Sequence, residues 1–127
     1  MKGYESIRDD VRQDGSRWLH LDVVQLFKHA LGLRTQVCKN ALHQPKRPIL
    51  FYLYAEPKAW PNGTPVESAK IQRRREEIVQ FSTIVAEDEV KFRSCSYCEL
   101  LNEWGVHPNE AIRRHAAAVI AFFKSNV

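Results

Sequence analysis

The feature that most constrains this chain is the run Ile49-Leu50-Phe51-Tyr52-Leu53-Tyr54-Ala55, which is apolar or aromatic throughout. Pro48 stands in front of it and Pro57 just behind. So short a run, rich in β-favouring residues and enclosed by prolines, predicts a strand, because proline ends helices and biases its predecessor toward extended backbone. Apolar side chains fall at both odd and even positions, so burial on both faces is expected, as in a parallel sheet covered by helices. The flanks should then be helical.

Ahead of the strand, Trp18, Leu21, Val24, Phe27 and Leu31 recur at three- and four-residue intervals. This predicts a helix over 18–33, with Ser16 as N-cap, Gly32 as terminator and Arg34 favouring the negative end of the dipole. Leu19, Val23 and Leu26 widen the stripe, so the helix should be well buried, with Gln25, Lys28 and His29 as a polar patch toward the sheet. Residues 1–16 are polar and mixed in charge, with room for a short helix from Tyr4 to Arg12 through Ile7 and Val11. Residues 34–47 form a basic connection carrying Cys38 and His43.

Behind the strand, residues 56–65 contain three prolines and the pair Asn62-Gly63, the composition of a loop. Thr64, Pro65 and Glu67 then read as N-cap, first helical residue and capping-box partner of a helix. Its buried stripe is Ile71, Ile78, Phe81 and Val85, and its outer face Lys70, Arg73, Arg74, Arg75, Glu76 and Glu77. A second strand is expected over 89–94, where Val90 and Phe92 alternate with Lys91 and Arg93. Ser96 and Glu99 make a capping box for a helix that Gly105 ends, and Pro108 opens a last helix with Ile112, Ala116, Val119 and Phe123 on one side.

The fold class expected is therefore α/β: a small, mainly parallel sheet with a strand–helix–strand core, right-handed in its crossover and flanked by helices. At 127 residues it should be one domain, 1–127, with 1–16 as a polar N-terminal segment. Two strands make a thin sheet, so a second copy or another polypeptide is expected to complete it. Trp18, Trp60 and Trp104 are large enough to contribute to a homodimer contact. The 44% hydrophobic and 27% charged residues exclude a disordered chain. The longest apolar run, 116–123, is too short to cross a membrane. Three cysteines without a disulfide framework suit reduced thiols in a cytoplasmic protein.

The segments Asp22-Val23-Val24-Gln25-Leu26-Phe27-Lys28-His29-Ala30, Leu50 to Pro57, Val90-Lys91-Phe92-Arg93 and Ser96-Tyr97-Cys98-Glu99-Leu100-Leu101 resemble, in that order, the C-terminal half of PD-(D/E)XK restriction-endonuclease-like proteins. The resemblance covers roughly residues 17–104. It implies a scaffold in which a hairpin bearing the acid and a Glu-x-Lys pair precedes the helix that carries a glutamine, here Gln25. No stretch ahead of Gln25 could be that hairpin. The scaffold and Gln25 carry over; the active site does not.

Glu56-Pro57-Lys58 has the carboxylate-x-lysine spacing with which such nucleases hold Mg2+ and a water, with Asp22 as the nearest second acid. Pro57 inside the triplet and its place behind the glutamine helix favour a surface loop. Cys95, Cys98, His107 and His115 have the composition of a zinc site, although the Ser96 cap explains their segment without metal, so no resident metal is expected. Cys38 could pair with His43 or His29 as a nucleophile. Lys46, Arg47, Lys58, Arg73 and Arg74, with Lys39, Lys70 and Arg75, could form a nucleic-acid patch, consistent with the net charge of +4. The leading functional expectation is a nucleic-acid-associated relative of these nucleases that lacks cleavage activity by itself. The alternative is a small homo-oligomeric interaction protein with no nucleic-acid role.

Overall fold

The computed structural model describes residues 1–39 and 46–127. In chain order the elements are α1 (Lys2–Gln13), a 3-10 turn (Gly15–Arg17), α2 (Val23–Lys39), β1 (Ile49–Tyr54), α3 (Ser68–Ile84), β2 (Lys91–Ser96), α4 (Tyr97–Gly105) and α5 (Glu110–Phe122). The protein is thus mixed α/β, with β1 and β2 paired in a two-stranded parallel sheet. The Lys91 amide donates to the Pro48 carbonyl at 3.0 Å where the pairing begins. Two compact units divide the chain: Met1–Tyr52 with Gln72–Arg93, and Leu53–Ile71 with Ser94–Val127.

The first unit holds most of the apolar core. Phe81 of α3 is fully buried and meets Tyr4, Trp18 and Phe92 edge-on at centroid distances of 5.7, 6.2 and 4.7 Å. Such edge-to-face packing adds about 1 kcal/mol per pair beyond area burial. Leu26 and Ala30 of α2, Leu50 of β1 and Ile78 of α3 are also buried. The N-terminal segment is not merely polar. It forms a full helix in which Tyr4 and Ile7 are buried, because two apolar residues spaced three apart suffice to seat one face.

Two buried carboxylates bind backbone in this unit. Glu77 is 4% exposed and accepts from the amides of Leu19, His20 and Leu21 at 3.0, 2.9 and 2.8 Å. Its expected place on the solvated face of α3 is therefore wrong. The loop before α2 brings three amides that need an acceptor, and Glu77 turns inward to meet them. Asp88 accepts from the amides of Gly3 and Tyr4 at 3.2 and 2.9 Å, which satisfies part of the first turn of α1. Gly3 lies so close to the Ile84 carbonyl that a Cβ there could not be accommodated without moving backbone.

The helix before the strand is shifted along the chain. Ser16 lies in the 3-10 turn, its amide bonded to Asp14, and α2 is capped by Asp22, whose Oδ1 accepts from the Gln25 amide at 3.0 Å. Gly32 does not end α2, which runs on to Lys39. Arg34 is inside the helix and pairs with Glu89. Nor is α2 deeply buried: Val24 and Leu31 are each 43% exposed, and Gln25, Lys28 and His29 are exposed rather than set in the core.

The strand β1 has the expected bounds but not the expected double burial. Leu50 is buried, whereas Ile49 and Phe51 are each 55% exposed, so one face of the sheet there is open. In β2, Phe92 faces in and Arg93 out, as the alternation predicts, although the strand begins later and reaches Ser96.

The second unit is lightly packed. Its loop turns at Asn62-Gly63, with Gly63 at φ 84° and the Trp60 amide donating to the Thr64 carbonyl at 2.8 Å. Thr64 and Pro65 therefore belong to this loop, Pro65 in a bridge with Ala59, and α3 starts only at Ser68. The capping box of α4 is present in both directions, Glu99 amide to Ser96 Oγ at 3.1 Å and Ser96 amide to Glu99 Oε2 at 2.8 Å. The last helix, α5, opens at Glu110 with Asn109 as its cap rather than at Pro108, and of its expected stripe only Ala116 is fully buried, with Phe123 52% exposed.

Candidate binding groove beside the first strand

In the first unit a groove of about 510 Å3 is lined by Lys28, His29, Gly32 and Leu33 of α2 and by Leu50 and Phe51 of β1. The periodicity of α2 explains the first four. Lys28, Gly32 and the neighbouring Leu33 recur on one side of the helix, one turn apart, while Leu26 and Ala30 take the other side into the core. The floor is apolar, Lys28 and His29 supply polar and cationic groups, and among the described residues no carboxylate lines it. Its volume lies within the range of pockets that hold small ligands or the side chains of a partner.

Gly32 is the telling residue. Glycine inside a helix costs about 1 kcal/mol relative to alanine. Among the described residues a Cβ at Gly32 would meet no atom within 4 Å. A glycine on the helix side of a groove, opposite a half-exposed phenylalanine, leaves room for another backbone to approach closely. The sequence reading missed this by taking Gly32 as a helix end. The signal against it was Val37, which continues the helical spacing and is half-buried.

The other sequence candidates are dispersed. Gln25 is exposed on α2 in the first unit, while Glu56 and Lys58 are in the second, past the end of β1. The Lys58 and Ala59 amides both donate to Asn126 Oδ1, at 2.6 and 3.1 Å, so the triplet belongs to a loop tied to the C-terminal residues. Of the basic residues, Lys46 and Arg47 line one recess together. Arg73 is exposed on α3, and Arg74 turns to donate from Nη2 to the Tyr52 hydroxyl at 3.2 Å.

Among the described residues no three His, Cys, Asp or Glu side chains are placed to hold a metal ion. Cys98 Sγ lies 3.7 Å from the Asn102 side-chain nitrogen, His107 Nδ1 accepts from the Asn109 amide at 3.0 Å, and His115 packs near the Trp104 ring at 6.1 Å. All three thiols are free. Burial, followed by Glu99 and Glu103, pushes the Cys95 thiol up from its ordinary value. His43 falls outside the described residues, and His29 lines the groove. Trp18 is buried, Trp104 half-buried and Trp60 48% exposed. Among the described residues no helix is long and apolar enough to cross a membrane. No family model, curated protein or solved structure matches this chain.

Proposed function

We propose that this chain is the scaffold half of a restriction-endonuclease-like unit, which completes its sheet with another polypeptide segment at the groove beside β1. It associates with nucleic acid in that assembled form and does not cleave by itself. The observation that carries this reading is the groove, with Gly32 on one wall and Phe51, 55% exposed, on the other. The element order α2, β1, α3, β2, α4, with Gln25 on α2, supports it by following the order that the resemblance implies. An acid-bearing hairpin seated there would supply the carboxylates and the Mg2+ site that this chain's described residues do not assemble. The test is binding to duplex DNA across a salt series, with a cleavage assay in Mg2+ or Mn2+. Weak, steeply salt-dependent binding without cleavage is the expected result. Turnover by the chain alone that vanishes in Glu56→Ala would overturn the proposal and move catalysis to Glu56 and Lys58.

A second reading rests on Ile49 and Phe51, whose exposure would equally suit pairing with a second copy. Sedimentation separates the two: a dimer at micromolar concentration, lost in Phe51→Lys, favours the interaction protein, and a monomer favours the scaffold half.

A further inference from the structure

The groove beside β1 runs along an edge of that strand, not across one of its faces. Successive strand side chains point to opposite faces, and the neighbours Leu50 and Phe51 both line it. No β2 residue lines it, so this is the edge that the two-stranded sheet leaves without a partner strand among the described residues. The Lys91 amide donates to the Pro48 carbonyl, which turns the main-chain groups of Pro48 and Leu50 toward β2 and those of Ile49 and Phe51 toward the groove. Among the described residues no turn or loop bond takes up the main chain of Ile49 or Phe51. From Ile49 to Tyr54 the strand has no charge, proline or glycine to blunt that edge, whereas β2 carries Lys91 and Arg93. Charge then selects what can pair there. Lys28 and His29 stand exposed on the α2 wall, and among the described residues no ion pair takes up Lys28. Lys46 and Arg47, just ahead of the strand, are also exposed. A second copy would bring the same cations and no carboxylate from the described walls of its own groove, so self-pairing sets like charges together.

We propose that this edge takes an extended segment of a different polypeptide in which acidic residues alternate with apolar ones. The inference rests on the groove being where another segment completes the sheet, and it names that segment's chemistry. Pairing with the main chain of Ile49 and Phe51 supplies the affinity, and the side chains on either face supply the selectivity. Ile49 and Phe51 are each 55% exposed, so their face is open and α2 walls the groove on the opposite one. One set of the segment's side chains therefore turns toward α2, where acidic groups meet Lys28 and His29 and Gly32 leaves them room. The alternate set lies beside Ile49 and Phe51 and is apolar.

Amide hydrogen exchange and amide shifts are followed by NMR on the full chain, first alone and then with short capped peptides in which valine alternates with glutamate, serine or lysine. Alone, the Leu50 amide should be protected by β2, and the Ile49 and Phe51 amides should exchange about 10-fold faster or more. The glutamate peptide should slow exchange at Ile49 and Phe51, and at low salt it should bind about 10-fold or more tighter than the lysine peptide, with serine between. Lys28→Glu, an exposed change on α2, should narrow or reverse that order while the protection of Leu50 persists. Equal affinity of all three peptides at Ile49 and Phe51 would overturn the acidic preference and leave the groove as the place where the sheet is completed. No slowing at Ile49 and Phe51 with any peptide would overturn strand pairing at this edge. Protection of both amides in the free chain would overturn the inference together with the reading beneath it: protection that rises with protein concentration gives the edge to a second copy, and protection independent of concentration gives it to the chain itself.

Discussion

The two compact units of this protein are held by different means. In the first, Phe81 touches three other aromatic rings, and two buried carboxylates take five backbone amides between them. In the second, Leu101 and Ala116 are the buried apolar residues, while Val106 and Phe122 are 82% and 80% exposed. Its order comes from local devices instead: the α4 capping box, the Asn109 cap and the Asn62-Gly63 turn. The first unit therefore owes its shape chiefly to buried contacts distant in sequence, and the second chiefly to contacts a few residues apart, with the bonds from Lys58 and Ala59 to Asn126 as its distant tie. A substitution should cost most where distant segments meet and least where a turn stabilises only itself.

The largest expected effect is at Glu77. Replacing it with alanine leaves the Leu21 amide without its acceptor in a buried site and the Leu19 and His20 amides without theirs in a partly buried one. Urea unfolding should show a loss of about 2 kcal/mol or more, since a stranded buried donor costs about 1–3 kcal/mol and the two partly buried donors add less where water reaches them. Glu77→Gln should recover part of it, because one amide oxygen can still accept. A loss under about 1 kcal/mol would mean that the two units do not differ in the way described.

The same contrast has a pH signature. Burial, with Asp88 next, raises the Tyr4 hydroxyl pKa above its ordinary value of 10.0, and the neutral hydroxyl donates to the Val90 carbonyl at 3.2 Å. The folded form thus holds this proton more tightly than the unfolded chain. The stabilisation is fully present below the unfolded pKa and is lost as pH rises from there toward the folded value. Stability should fall above pH ~10 in the wild type and fall less in Tyr4→Phe, which has no proton to lose at that position. Parallel alkaline profiles for the two proteins would detach Tyr4 from the core's pH response.

At the capping box the expected effect is smaller. Ser96→Ala removes the acceptor for the Glu99 amide and should cost about 1 kcal/mol. If it costs as much as Glu77→Ala, the second unit is as cooperative as the first, and its exposed Val106 and Phe122 do not report a looser packing.

These contacts also explain which parts of the fold were legible in the sequence. The bounds of β1 and the α4 cap follow from residues within a few positions of one another, and both were readable. Glu77 was not, because Arg73-Arg74-Arg75-Glu76-Glu77 looks like a solvated helix face until the Leu19–Leu21 loop is brought against it. Double burial of β1 failed because an apolar composition cannot tell an inner strand from one with an open face. The groove escaped for a related reason. Its walls come from residues 28–33 and 50–51, and no motif spans them.

The smallest expected effect in stability is also the one that bears most directly on function. Gly32 has open space at its Cβ, and α2 passes through it from Val23 to Lys39. If the protein alone set the residue there, alanine would be preferred, so Gly32→Ala should stabilise the isolated chain by roughly 0.5–1 kcal/mol. Gly32→Trp should leave the fold intact, since its side chain enters the groove rather than the core, while filling the space against Leu50 and Phe51. A bound strand or a second copy at this site should then be excluded by tryptophan and weakened by alanine in spite of its better helix. Thermal unfolding measures the first half, and titration with the partner segment, or sedimentation for a dimer, measures the second. Both halves are needed: unimpaired association in Gly32→Trp would move the binding surface away from this groove, and a destabilised Gly32→Ala would mean that the glycine serves the fold of α2 itself.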